Sequence, residues 1–131
     1  MRPKADWIAH RLEVKQDGGV LVVALSEDDK GSGRVLVFQR AVAAELIDED
    51  DPDTYSMSDE MGTTVYGGVQ AIQLDAGALL VEFDAAAALF GLERLRIGLA
   101  IGRADVRALE AGLRMVFAGS PSPPRFTVSW S

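Results

Sequence analysis

Val20-Leu21-Val22-Val23-Ala24-Leu25, and after it Arg34-Val35-Leu36-Val37-Phe38, decide the fold class. Both runs are short, rich in β-branched residues and apolar on both faces, which fits central strands better than helical turns. The residues between them, Ser26 to Gly33, are polar, charged and glycine-bearing, as a hairpin loop requires. Upstream, His10, Leu12 and Val14 alternate with Arg11, Glu13 and Lys15, and Asp17-Gly18-Gly19 ends the pattern. Such alternation marks a half-buried strand, so three antiparallel strands are expected to open the fold.

Working outward, Ala41 to Ile47 reads as either one or two helical turns or an extended edge. Tyr55 to Ser58 and Thr63 to Tyr66 have strand composition around a turn at Met61-Gly62. Val69 to Leu74 and Ala78 to Phe83 flank Asp75-Ala76-Gly77, read as a three-residue connection with a left-handed glycine. Asp84 is placed to cap a short helix through Ala85 to Phe90, ended by Gly91. Leu95, Ile97, Leu99 and Ile101 alternate as another strand. Val106, Leu109, Leu113, Val116 and Phe117 mark one face of an amphipathic helix stopped by Gly119.

Residues 120–131 read as a Pro-rich connector followed by a terminal strand in which Phe126, Val128 and Trp130 alternate with polar residues. That strand can pair within its own chain or across a dimer edge, which leaves the oligomeric state open. The expected architecture over residues 1–131 is a single α+β domain. It has a mainly antiparallel sheet of about seven or eight strands, covered on one face by the long C-terminal helix and the short one.

Composition narrows the function. The 131 residues contain no cysteine and one histidine, which removes disulfides, thiolate catalysis, zinc fingers and His-rich metal sites. No apolar run approaches the ~20 residues of a membrane span. Asp6, His10 and Arg11 interrupt any signal-peptide core, so a soluble, cytoplasmic chain is expected. The net charge of −7 is concentrated: residues 27–60 hold eleven acidic groups against three basic ones, a net −8. Nucleic acid and anionic membrane are poor partners for such a chain, and a basic protein is a good one.

Each candidate site has a plain alternative. Glu49, Asp51, Asp53 and Glu60 fall at positions one, three, five and twelve of an EF-hand-like loop, but Thr54 stands where the turn needs glycine and Pro52 stiffens it. A solvated acidic loop explains them, and no metal or cofactor is assigned. His10, beside Leu12 and Val14, is expected as a packed residue of the core face. No nucleophile elbow is present, and neither Gly31-Ser32-Gly33 nor Gly67-Gly68 carries the Lys-Ser/Thr of a phosphate loop. Arg103, Arg107 and Arg114 share one helical stripe, read as a solvated face. No catalytic residue is assigned.

The acidic window is either a solubilising loop or a surface that steers a cationic partner. On the second reading its contact residues are Glu45, Asp48, Glu49, Asp50, Asp51, Asp53, Asp59 and Glu60, with Tyr55 and Tyr66 as aromatic anchors. Gly67 and Gly68, following an aromatic residue, are read as fold determinants at a bulge or close backbone approach.

Asp53-Thr54-Tyr55-Ser56-Met57-Ser58-Asp59-Glu60 followed by Thr64-Val65-Tyr66-Gly67-Gly68-Val69 resembles the middle of the immunity protein 10 family of bacterial polymorphic toxin systems. The resemblance continues through Leu79-Leu80-Val81, the Ala85 to Leu92 segment and the Val106 to Val116 helix, and covers about residues 20–118. It implies a non-enzymatic protein that binds and neutralises a cognate toxin domain, with no catalytic residues to carry over. An acidic surface suits a basic toxin such as a nuclease. The rival readings are a cytoplasmic protein-binding adaptor or chaperone-like module with a broad apolar patch and no toxin partner, and a metal enzyme using the Glu49–Glu60 carboxylates.

Overall fold

The computed structural model describes residues 4–28, 33–41, 55–83, 94–118 and 124–129. In chain order its elements are β1 (Lys4–Ala9), β2 (Arg11–Asp17), β3 (Val20–Ser26), β4 (Val35–Ala41), β5 (Ser56–Asp59), β6 (Thr64–Tyr66), β7 (Val69–Asp75), β8 (Ala78–Phe83), β9 (Arg94–Leu99), α1 (Arg103–Phe117) and β10 (Arg125–Ser129). The fold class is α+β, but the strands divide into two sheets of five instead of forming one. Sheet I runs β2-β3-β4-β5-β6 and is antiparallel throughout. Sheet II runs β1-β9-β8-β7-β10, and both of its outer strands pair parallel to their neighbours. The predicted terminal strand is therefore β10, paired within its own chain on β7. The short helix expected over Ala85–Phe90 lies outside the described residues.

The division into two sheets follows from two places where the chain changes partners. At the first, Ala9 still belongs to sheet II, its carbonyl accepting from Ala100 N–H at 2.9 Å, while the His10 N–H already donates to Ser26 in sheet I at 2.9 Å. His10 is consequently exposed rather than part of the core face, a correction to the sequence reading. At the second, β6 ends in sheet I and β7 begins in sheet II, with only Gly67 and Gly68 between them. Strands that switch sheets at a bend make the corners of a sandwich.

One hydrophobic cluster draws on both sheets and the helix. On β3, Leu21, Val23 and Leu25 are buried and alternate with partly exposed Val22 and Ala24, and β4 continues the face with Leu36 and Phe38. Helix α1 lays Val106, Leu109, Leu113, Val116 and Phe117 into this cluster. Gly112 permits the close approach: a Cβ there would lie 2.9 Å from Val23 Cγ2 and 3.3 Å from Val14 Cγ1. The helix C-terminus is held by Arg40, whose guanidinium donates to the carbonyls of Met115 and Ala118. A cation there complements the negative end of the helix dipole.

The β7–β8 connection also differs from expectation. Gly77 does not adopt a left-handed conformation. The turn is closed instead by Asp75 Oδ1, which accepts from Gly77 N–H at 2.7 Å and Ala78 N–H at 2.8 Å. An aspartate that satisfies the backbone two residues on makes the left-handed residue unnecessary.

Candidate functional site

The β5–β6 hairpin and the corner after it gather the described members of the predicted contact set. Asp59 forms the hairpin turn, its Oδ1 accepting from Met61 N–H at 2.9 Å and Thr63 N–H at 3.0 Å. Gly62, at φ +80°, completes that turn. The Glu60 Oε1 accepts from Val35 N–H at 3.2 Å and so ties the turn to the start of β4. Both carboxylates keep acceptor capacity, since each oxygen has two lone pairs and only one oxygen of each is engaged in these bonds. Met61 at the tip and Tyr66 at the end of β6 are 79% and 72% exposed.

Tyr55 takes a different part. It is 2% exposed, its hydroxyl accepts from Val69 N–H at 3.0 Å, and its carbonyl accepts from Gly67 N–H at 2.9 Å. The ring stands edge-on to Phe117, centroids 4.8 Å apart, and Phe117 in turn meets Phe38 edge-on at 6.1 Å. Tyr55 therefore belongs to the core and clamps the β6–β7 corner from beneath. The surface aromatic of the expected pair is Tyr66.

Gly67 and Gly68 sit at φ +74° and +88°. Glycine reaches this region freely, whereas an L side chain there is strained. The one register irregularity in the neighbouring pairing falls just beyond them, between Val69 and Ala71. Tyr66 is thus carried on a corner of defined shape, held by Tyr55 through two hydrogen bonds. The other acids of the expected set, Glu45, Asp48, Glu49, Asp50, Asp51 and Asp53, lie outside the described residues.

A separate cleft of about 460 Å³ opens beside the first corner, lined by Trp7, Ile8, His10, Glu27, Arg34 and Arg96. There the His10 Nδ1–H donates to the Glu27 carbonyl at 2.8 Å, and Glu27 Oε1 accepts from Arg34 N–H at 3.0 Å. Sequence reasoning had no means of finding it, because the cleft exists only through the parallel pairing of β1 with β9. Among the described residues no group of three or more histidine, aspartate or glutamate side chains is placed to hold a metal ion. No helix among them is long and apolar enough to cross a membrane.

The arrangement defines a two-sheet α+β domain whose exposed features are strand faces, a hairpin tip and a corner. Its sequence matches the Immunity protein 10 family over residues 8–107, most of the chain. The protein belongs to that family. The matched stretch takes in all of sheet I, both corners and the start of α1, and so begins earlier and ends sooner than the expected 20–118. No curated protein and no solved structure matches the chain.

Proposed function

We propose that this chain is a non-enzymatic immunity protein that binds one cognate bacterial toxin domain and neutralises it by occupying its surface. Family membership supplies the class of partner, and the observation that carries the finer reading is the net −8 confined to residues 27–60. A concentrated negative surface raises the association rate of a cationic protein through long-range attraction, an effect that falls with salt. The partner is accordingly a basic toxin domain, of which a nuclease is the natural case. Nucleic acid and membrane are not partners, the interaction takes place in the cytoplasm, and no cofactor takes part.

Growth rescue tests the reading. The C-terminal toxin domain encoded beside this gene is expressed with and without the protein, and the pair is purified together. Rescue with a one-to-one complex is the expected result; no rescue and no complex would sink it. Changing Asp48, Asp50, Asp51 and Asp53 together to lysine should slow association by about 10-fold or more at low salt, and an unchanged rate would remove the acidic surface from the account.

A further inference from the structure

The charge and the strand register together distinguish one face of the molecule. Sheet I and its connections, residues 11–66, carry five basic and thirteen acidic residues, a net −8. The rest of the chain carries eight basic and seven acidic, a net +1. Within sheet I the buried residues Leu21, Val23, Leu36, Phe38 and Met57 point inward. Alternation turns their neighbours outward. Paired across the strands, Val22, Gln39, Ser56 and Tyr66 make one outward rank, and Ala24, Val37, Ser58 and Thr64 make the next. Neither rank holds a charged residue on β3, β4, β5 or β6. All eight side chains are partly or fully exposed.

The charges stand around this area instead. On the β2 edge, Glu13 pairs with Arg11 at 3.7 Å and Lys15 at 3.5 Å. At one end of the strands, Glu27 and Asp28 follow β3 and Asp59-Glu60 close the β5–β6 turn, which the Glu60–Val35 bond ties to the start of β4. Interfaces deplete charge at their core and keep a polar rim, and this face has that distribution of charge. Tyr66 stands at the far edge, and tyrosine is among the residues that most often dominate binding energy.

We infer that the outward face of sheet I, ending at Tyr66, is the surface on which the cationic toxin domain docks. This rests on the immunity reading and names its epitope. The described acids at the strand ends, Glu27, Asp28, Asp59 and Glu60, within a stretch of sequence of net −8, select a basic occupant and disfavour a second copy of this chain, since like-charge surfaces repel. The uncharged centre supplies the area that desolvates without leaving buried charges unpaired, and the acidic rim sets orientation and rate.

Calorimetric titration with the toxin domain encoded beside this gene tests the assignment, each variant first checked for an unchanged melting temperature. Ala24→Arg, which puts a cation in the centre of the face, should weaken binding by about 100-fold or more, and Tyr66→Ala by about 30-fold. Gln73→Arg, on the outward face of sheet II, should leave affinity within about 2-fold. If Ala24→Arg fails to fold, Tyr66→Ala and Thr64→Arg carry the test, because both positions are exposed. Wild-type affinity in the sheet I variants, or an equal loss in Gln73→Arg, would overturn the docking face while leaving the immunity reading in place. A wild-type chain that binds nothing overturns both. A concentration-dependent dimer that Ala24→Arg dissolves would give the face to a second copy.

Discussion

The two sheets share one core yet present opposite faces to solvent. Sheet II turns outward Arg94, Arg96 and Arg125 with Glu82, whose carboxylate meets Arg94 at 3.1 Å and Arg125 at 4.0 Å. Sheet I turns outward valine, alanine, serine, threonine and Tyr66, with charge kept to its β2 edge and its connections. Ion-paired side chains on long stems keep a surface solvated, whereas an uncharged face can be covered without desolvating charge. The described acids Glu27, Asp28, Asp59 and Glu60 stand at the ends of sheet I strands, and the middle of its outward face is uncharged on β3 to β6.

The largest expected effect concerns what the sheets have in common. Phe38→Ala in sheet I and Ile97→Ala in sheet II each empty a fully buried site and should destabilise the fold by about 3–5 and 2–5 kcal/mol. Each should show one cooperative transition in chemical denaturation. Two separate transitions would mean that the sheets do not share a core.

Tyr55→Phe comes next. It strips the acceptor from the Val69 N–H in a buried setting and should cost about 1–3 kcal/mol with affinity for the toxin domain retained. A variant of normal stability that loses affinity would return Tyr55 to the binding set. Gly67→Ala should cost about 1–2 kcal/mol, because its φ of +74° strains an L residue although no atom lies within 4 Å of the new methyl. Thermal denaturation measures both.

The smallest effect is expected on the outward face of sheet II. Arg94→Ala removes a partner from a half-exposed ion pair and should change stability by less than about 1 kcal/mol, diminishing further in high salt. A larger loss would show that this face is held by its charges and does more than remain solvated.

Much of the strand content was legible because alternation reports burial directly. Strands β2, β9 and β10 came from it, β3 and β4 from short β-branched runs apolar on both faces, the β5–β6 and β7–β8 pairs from strand composition around turn residues, and the helix from its three-and-four spacing. Alternation says which side of a strand is wet but not which sheet the strand joins. Hence His10, where partners change without any turn residue, read as core. Strand β1 carries no clear period and rests on parallel pairing with β9, some ninety residues away in sequence, beyond local pattern. Gly67-Gly68 read as a bulge or a close backbone approach, because a glycine pair signals unusual backbone without saying that a strand is leaving its sheet. Tyr55 entered the contact set as an aromatic beside the acids, with its exposure not fixed by local sequence, because its burial depends on Phe117 in a helix far along the chain.

The most direct test of the central claim is a methyl-resolved NMR titration of the protein with the toxin domain encoded beside its gene. The methyl signals of Val22, Ala24 and Val37 should shift or broaden on binding while those of Leu80, on the outward face of sheet II, stay in place. Movement at Leu80 with Val22, Ala24 and Val37 unchanged would contradict it.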